Sequence, residues 1–218
     1  MFSGGQSDAP KSLNEAGLVE SAAERTAEAR ERKIAELRGY LAGYLELGPD
    51  QDAESIRFEQ AGGLGGEYGD QYRFLDDERL AGTEIAVVPD KLWVKGKQPS
   101  ESHAAKGLIL IREGYYLDPA KREQDEPAWM AHELAHCQRF IDKRDNYDEE
   151  SQQVAFDDIG LDAYPNNQVE ERTFGKQFEY LRSKGVGRER VAEMMNEHYG
   201  PEDFKFLDRV LDRVYGQP

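Results

Sequence analysis

His132, Glu133 and His136 stand in the segment Trp129-Met130-Ala131-His132-Glu133-Leu134-Ala135-His136-Cys137, a His-Glu-x-x-His pattern. On a helix, at about 100° per residue, the two histidines share a face one turn apart, so both imidazoles can reach a single ion. Glu133 lies beside them, near enough to touch a metal-bound water without being a ligand, which is what metal-assisted hydrolysis requires. With only four histidines in the chain, chance produces this pattern on the order of one time in a hundred. Met130, Leu134, Cys137 and Ile141 recur at helical spacing and form a narrow apolar stripe for docking on a core. The histidines fall off that stripe, which aims them at a cleft. Cys137 is on the stripe, about 100° round from His136, and reads as a buried small hydrophobe, not a ligand.

Other elements must hold this turn in place. Residues 13–47 are rich in Ala, Glu and Arg, and Ile34, Leu37, Leu41 and Tyr44 recur at helical spacing, which predicts a long helix ended by Gly48-Pro49. Residues 61–70 are glycine-rich and match neither nucleotide-binding glycine pattern, so they read as a flexible connection. Short β-like runs at 85–88, 92–94, 108–111 and 115–117 predict a small sheet. Helical spacing returns at 127–143, 167–183, 188–199 and 202–215. The expected fold is α+β: a small mixed or antiparallel sheet packed on the His-Glu-x-x-His helix and the helix after it, with a long N-terminal helix and C-terminal helices. Residues 1–60 would be a helical lid, pro-segment or docking arm, available to a partner or to a self-inhibitory contact, and residues 61–218 the functional domain.

The balance of 28 basic against 44 acidic side chains gives a net charge of -16. Such a field repels polyanions, and no basic cluster offsets it, so a nucleic-acid partner is not expected. No apolar run approaches the roughly 20 residues of a membrane-spanning helix, so no membrane partner is expected either. Residues 1–10 have no basic start and no apolar stretch of the kind that opens a secretory signal. One cysteine excludes an intrachain disulfide and suits a reducing compartment such as the cytoplasm.

The His-Glu-x-x-His helix resembles that of the zincin metallopeptidases, in which the two histidines bind zinc and the glutamate is the general base. The match covers this one helix. In the metzincin branch a glycine and a third ligand follow at fixed spacing. Here Arg139 and Asp142 occupy those positions, and a helix that continues past Arg139 carries Asp142 away from the ion. The gluzincin branch takes its third ligand from a glutamate on a later helix, and Asn167-Gln168-Val169-Glu170-Glu171-Arg172-Thr173 looks like that element. Glu170 shares a face with the apolar positions Phe174 and Leu181 and with Gln177, where a charge needs a partner. Glu171, bordering that face on its Phe178 side, is the rival, and the Glu-x-x-Thr spacing favours Glu170. Without a metal, both are acids placed at a helix N-terminus by its dipole.

The resemblance implies Zn²⁺ held by His132, His136 and Glu170, with Glu133 activating a water to cleave a peptide or protein substrate. Tyr164, in the loop before the glutamate helix, would supply a hydroxyl to the developing oxyanion, as tyrosines do in similar enzymes. His198 with Tyr199 is the alternative, although Val191, Met194 and Met195 share their face and make it a core face. Strand 107–117 is expected to be the sheet edge on which substrate lies, with Tyr115 and Tyr116 lining the groove. His103 is expected in an exposed polar loop. The acidic runs 145–150 and 157–158 lack the spacing of a calcium loop and read as solvated surface. Two alternatives remain: a metal-stapled binding module without turnover, and a metal hydrolase for a non-peptide substrate. The deformylase type of the latter needs a cysteine ligand before the helix, and Cys137 comes after His136.

Overall fold

The computed structural model describes residues 12–62, 69–93, 100–116, 126–144, 168–199 and 206–217. It divides into two units, Met1–Ala53 and Glu54–Pro218. The first unit is built on helix α1 (Ser12–Tyr44), in which Tyr40 and Tyr44 stack one turn apart with centroids 6.1 Å apart. The helix ends before Gly48-Pro49. Glu46, at φ 52°, turns into the left-handed region, and Glu46 N and Leu47 N reach back to Gly43 O at 3.2 Å and Ala42 O at 2.9 Å. These bonds cap carbonyls that the helix itself leaves open.

The second unit takes in residues that were expected to belong to the N-terminal segment: β1 (Arg57–Gln60) is a strand of its sheet. After β1 come α2 (Gly69–Leu75), β2 (Glu84–Val88), β3 (Ser100–His103), β4 (Leu108–Arg112) and the one-turn α3 (Glu113–Tyr116). Four longer helices follow: α4 (Glu126–Arg144), α5 (Gln168–Ser183), α6 (Arg188–Tyr199) and α7 (Leu207–Tyr215). The fold is α+β. The sheet is mixed, in the order β1-β2-β4-β3, with β2 and β4 parallel and both edge strands antiparallel to their neighbours. Its two central strands carry the apolar runs, and Ile85 to Val88 and Leu108 to Ile111 are all buried, as strands covered on both faces must be.

Three local expectations give way. Residues 92–94 were expected to be a strand, but Pro89 cannot extend a ladder, and Asp90–Leu92 form a 3-10 turn instead. Residues 115–117 were expected to be extended, yet Glu113–Tyr116 is helical, its Gly114 N–H donating to Asp90 Oδ1 at 3.0 Å. A Cβ at position 114 would collide with that carboxylate. Strand 107–117 was expected to be the sheet edge, but β4 lies inside the sheet, and the edge beyond it is the polar strand β3. The reversal from β3 into β4 needs a left-handed residue, supplied by Gly107 at φ 57°, ψ 46°.

Helix α4 packs against α5, α2 and β3. Its buried surface is therefore wider than the predicted stripe, and every residue from Ala128 to Ala135 is buried. Leu134 sits between the two histidines and is fully enclosed. Leu134→Ala leaves a cavity in this helix bed and is expected to cost about 2–5 kcal/mol in urea unfolding. A loss well under 1 kcal/mol would mean that α4 is not seated as described.

Candidate metal centre

Helix α4 carries His132 and His136 on one face, and their Nε2 atoms lie 3.0 Å apart. Helix α5, packed against it, brings Glu170 from its first turn to the same point. Glu170 Oε2 is 3.3 Å from His132 Nε2, and Oε1 is 3.5 Å from His136 Nε2. Four ligands spaced tetrahedrally about an ion at 2.0–2.1 Å lie roughly 3.3–3.4 Å from one another. The three observed separations bracket that value, so His132, His136 and Glu170 form a group that could hold a metal ion.

Glu171 is directed elsewhere. It accepts from Arg209 Nη2 at 2.5 Å and Nε at 3.1 Å, and Arg213 Nη2 reaches its backbone carbonyl at 3.2 Å, all from helix α7. Adjacent glutamates thus serve two surfaces, one facing α4 and the other fastening α7. Thr173, three residues past Glu170, turns its hydroxyl back onto the Glu170 carbonyl at 3.1 Å.

The surroundings of the cluster are asymmetric. His132 is walled by the rings of Trp129, at a centroid distance of 5.7 Å, and Phe174, at 4.5 Å. Tyr199 continues this wall, 5.7 Å from Phe174. The His132 side chain is 5% exposed against 16% for His136, so the more open approach is on the His136 side. Trp129 and Phe174 gave no sign of this role in the sequence, since apolar residues on a helix read as general core.

Burial alone would raise the Glu170 pKa, but the two imidazoles beside the carboxylate hold it down at about 2. Burial alone would lower that of His136, yet the Glu170 contact, helped by the Glu133 charge, raises it above 6.5. A carboxylate whose pKa falls on folding stabilises the fold above its ordinary 4.5, and that stability is lost as pH falls towards 2. An imidazole whose pKa rises stabilises the fold below 6.5, and that stability is lost as pH climbs past its folded value. The metal-free protein should therefore melt highest between about pH 4.5 and 6.5 and lose stability above that. Glu170→Gln should flatten the decline. Zinc needs unprotonated imidazoles, so added zinc should reverse the slope above pH 6.5. Melting curves with chelator and with zinc check both signs, and parallel curves would contradict them.

Glu133 is itself buried, and Ser100 of the edge strand β3 donates its hydroxyl to Glu133 Oε1 at 3.0 Å. Nothing in the sequence marks Ser100, because a short polar edge strand has no apolar alternation to announce it. At the far end of α4, Gln138 donates to Asp77 at 3.1 Å and Arg79 bridges Asp77 and Asp142 at 2.7 and 2.5 Å. The Arg79 guanidinium holds the Asp77 carboxyl down at about 2. The helix continues through Arg139 to Arg144, and Asp142 is engaged here, away from the histidine pair. Cys137 is buried. His103, expected in an exposed loop, ends β3 with its side chain 10% exposed, 3.7 Å from Glu101. Tyr164, the side chains of His198, Tyr115 and Tyr116, and the acidic runs 145–150 and 157–158 lie outside the described residues.

Comparison with protein-family models, curated proteins and solved structures gives no match to this chain. No helix among the described residues is long and apolar enough to cross a membrane.

Proposed function

We propose that the protein is a zinc-dependent metallopeptidase of the zincin type, gluzincin-like in its ligand set. The observation that carries this reading is the convergence of His132, His136 and Glu170, with Glu133 on the same helix as the histidines and its charge close enough to act on His136. Two imidazoles and one carboxylate suit zinc and leave a fourth position open. When bound, zinc would acidify a water and polarise a carbonyl.

The chain's own residues supply the rest. Glu133 takes a proton from the attacking water and returns it to the departing amine, a transfer that a carboxylate can serve in both directions. Strand β3, the edge of the sheet among the described residues and bonded to Glu133 through Ser100, offers backbone groups on which an extended peptide can lie. Trp129 and Phe174 fix the His132 ring and keep water from its inner side. Tyr164 and His198 stand as the proposed donors to the developing oxyanion.

The test is cleavage of dye-labelled casein by purified protein, lost with chelator and restored by zinc. Cleavage indifferent to both would overturn the reading. One observation favours a second reading: His132, Glu133 and Glu170 are each under a tenth exposed. This suits a binding module in which the metal is a staple without turnover, and that reading predicts zinc in the protein with no cleavage by any preparation.

A further inference from the structure

We propose that Ser100 is the positioning residue of Glu133, holding one oxygen of its carboxylate so that the other is presented to the reacting water. The role in turnover rests on the peptidase reading; the role in holding the carboxylate does not.

Glu133 cannot choose its orientation by solvation, because it is buried on a helix enclosed by other elements. Its side chain has several rotatable bonds, and a carboxylate that rotates freely offers the base in the wrong direction much of the time. The Ser100 hydroxyl removes that freedom. It lies on the opposing element, 6% of the residue is exposed, and it donates to Oε1 at 3.0 Å. With Oε1 held by Ser100 the plane of the carboxylate is set, and the proposal assigns the proton-accepting work to Oε2.

The anchor is itself tied into the sheet. Ser100 pairs in register with Ile111 of β4, a buried residue in the middle of the sheet. Alternation along β3 turns Ser100 and Ser102 to one face and Glu101 and His103 to the other; of the two serines Ser100 is the buried one, and its hydroxyl meets Glu133. Because β3 is also the edge strand proposed for substrate, one strand would set both the peptide and the base that serves it. Misplacing a reacting group by about 1 Å can cost on the order of a hundredfold in rate.

The experiment compares wild type, Ser100→Ala and Ser100→Thr in the zinc-loaded protein. An internally quenched peptide, copied from a bond cut in casein, is the substrate. Ser100→Ala is expected to lower kcat about 10- to 100-fold while KM and zinc affinity stay within about twofold, and Ser100→Thr, which keeps the hydroxyl, to restore most of the rate. A second readout needs no turnover. The NMR signal of the Glu133 carboxyl carbon, assigned by its absence in Glu133→Gln, should move in metal-free Ser100→Ala and return in Ser100→Thr.

An unmoved carboxyl signal, or an unchanged kcat in Ser100→Ala, would overturn the proposal. So would equal losses in Ala and Thr variants accompanied by equal drops in melting temperature, which mark a packing role. If wild type cleaves nothing, the peptidase reading fails, and the carboxyl signal alone decides whether Ser100 holds Glu133.

Discussion

Glu133→Gln is expected to keep its zinc and lose its cleavage. The amide preserves the size of the side chain and can still meet Ser100, so the fold and the three converging groups are left in place. What disappears is a proton acceptor. General acid and base assistance contributes about 10²- to 10⁴-fold, and kcat should fall by that much with KM nearly unchanged. The variant's zinc content, measured on the same preparation, separates loss of chemistry from loss of metal. A variant as active as wild type would remove Glu133 from the reaction. Absence of cleavage in both proteins, with zinc bound to each, would favour the metal staple.

The second large effect separates two neighbours in the sequence. Glu170→Ala removes a carboxylate 3.3 and 3.5 Å from the two imidazole nitrogens, and zinc affinity should drop. Loss of groups that only support ligands costs about 10- to 100-fold in affinity, so loss of a ligand should exceed about 100-fold. Glu171→Ala should leave zinc binding unchanged. Its partners, Arg209 and Arg213, are 67% and 48% exposed, so releasing them costs about 1 kcal/mol or less in stability. Competition with a chromophoric chelator gives the affinities, and urea unfolding gives the stabilities. Equal zinc affinities in the two variants, or a larger loss for Glu171→Ala, would contradict this assignment.

Which parts of this arrangement could be read from the sequence follows from the range of the forces involved. His132 and His136 share a face because of helical periodicity, which is local, and their convergence is written into a spacing of four residues. Glu170 was reachable only as a charge set among Phe174, Gln177 and Leu181. Spacing favoured it over Glu171 only weakly, because the deciding partners of Glu171 sit on α7, far along the chain. The central strands β2 and β4 were legible as apolar runs. The edge strands β1 and β3 were not, since a short strand at the side of a sheet with a polar sequence such as Ser100–His103 carries no pattern to mark it. Taking β4 for the sheet edge had the same origin: strand order depends on pairing at a distance. Ser100 was invisible for that reason, although it is the residue that meets Glu133.

X-ray absorption at the zinc edge, on protein loaded to saturation, puts the three-residue site to the plainest test. One ion per chain is expected, with two imidazoles and oxygen ligands at about 2.0–2.2 Å and no sulfur, and with the signal lost when His132 and His136 are both replaced by alanine. No stoichiometric ion, a sulfur ligand from Cys137, or an unchanged signal in the double variant would contradict it.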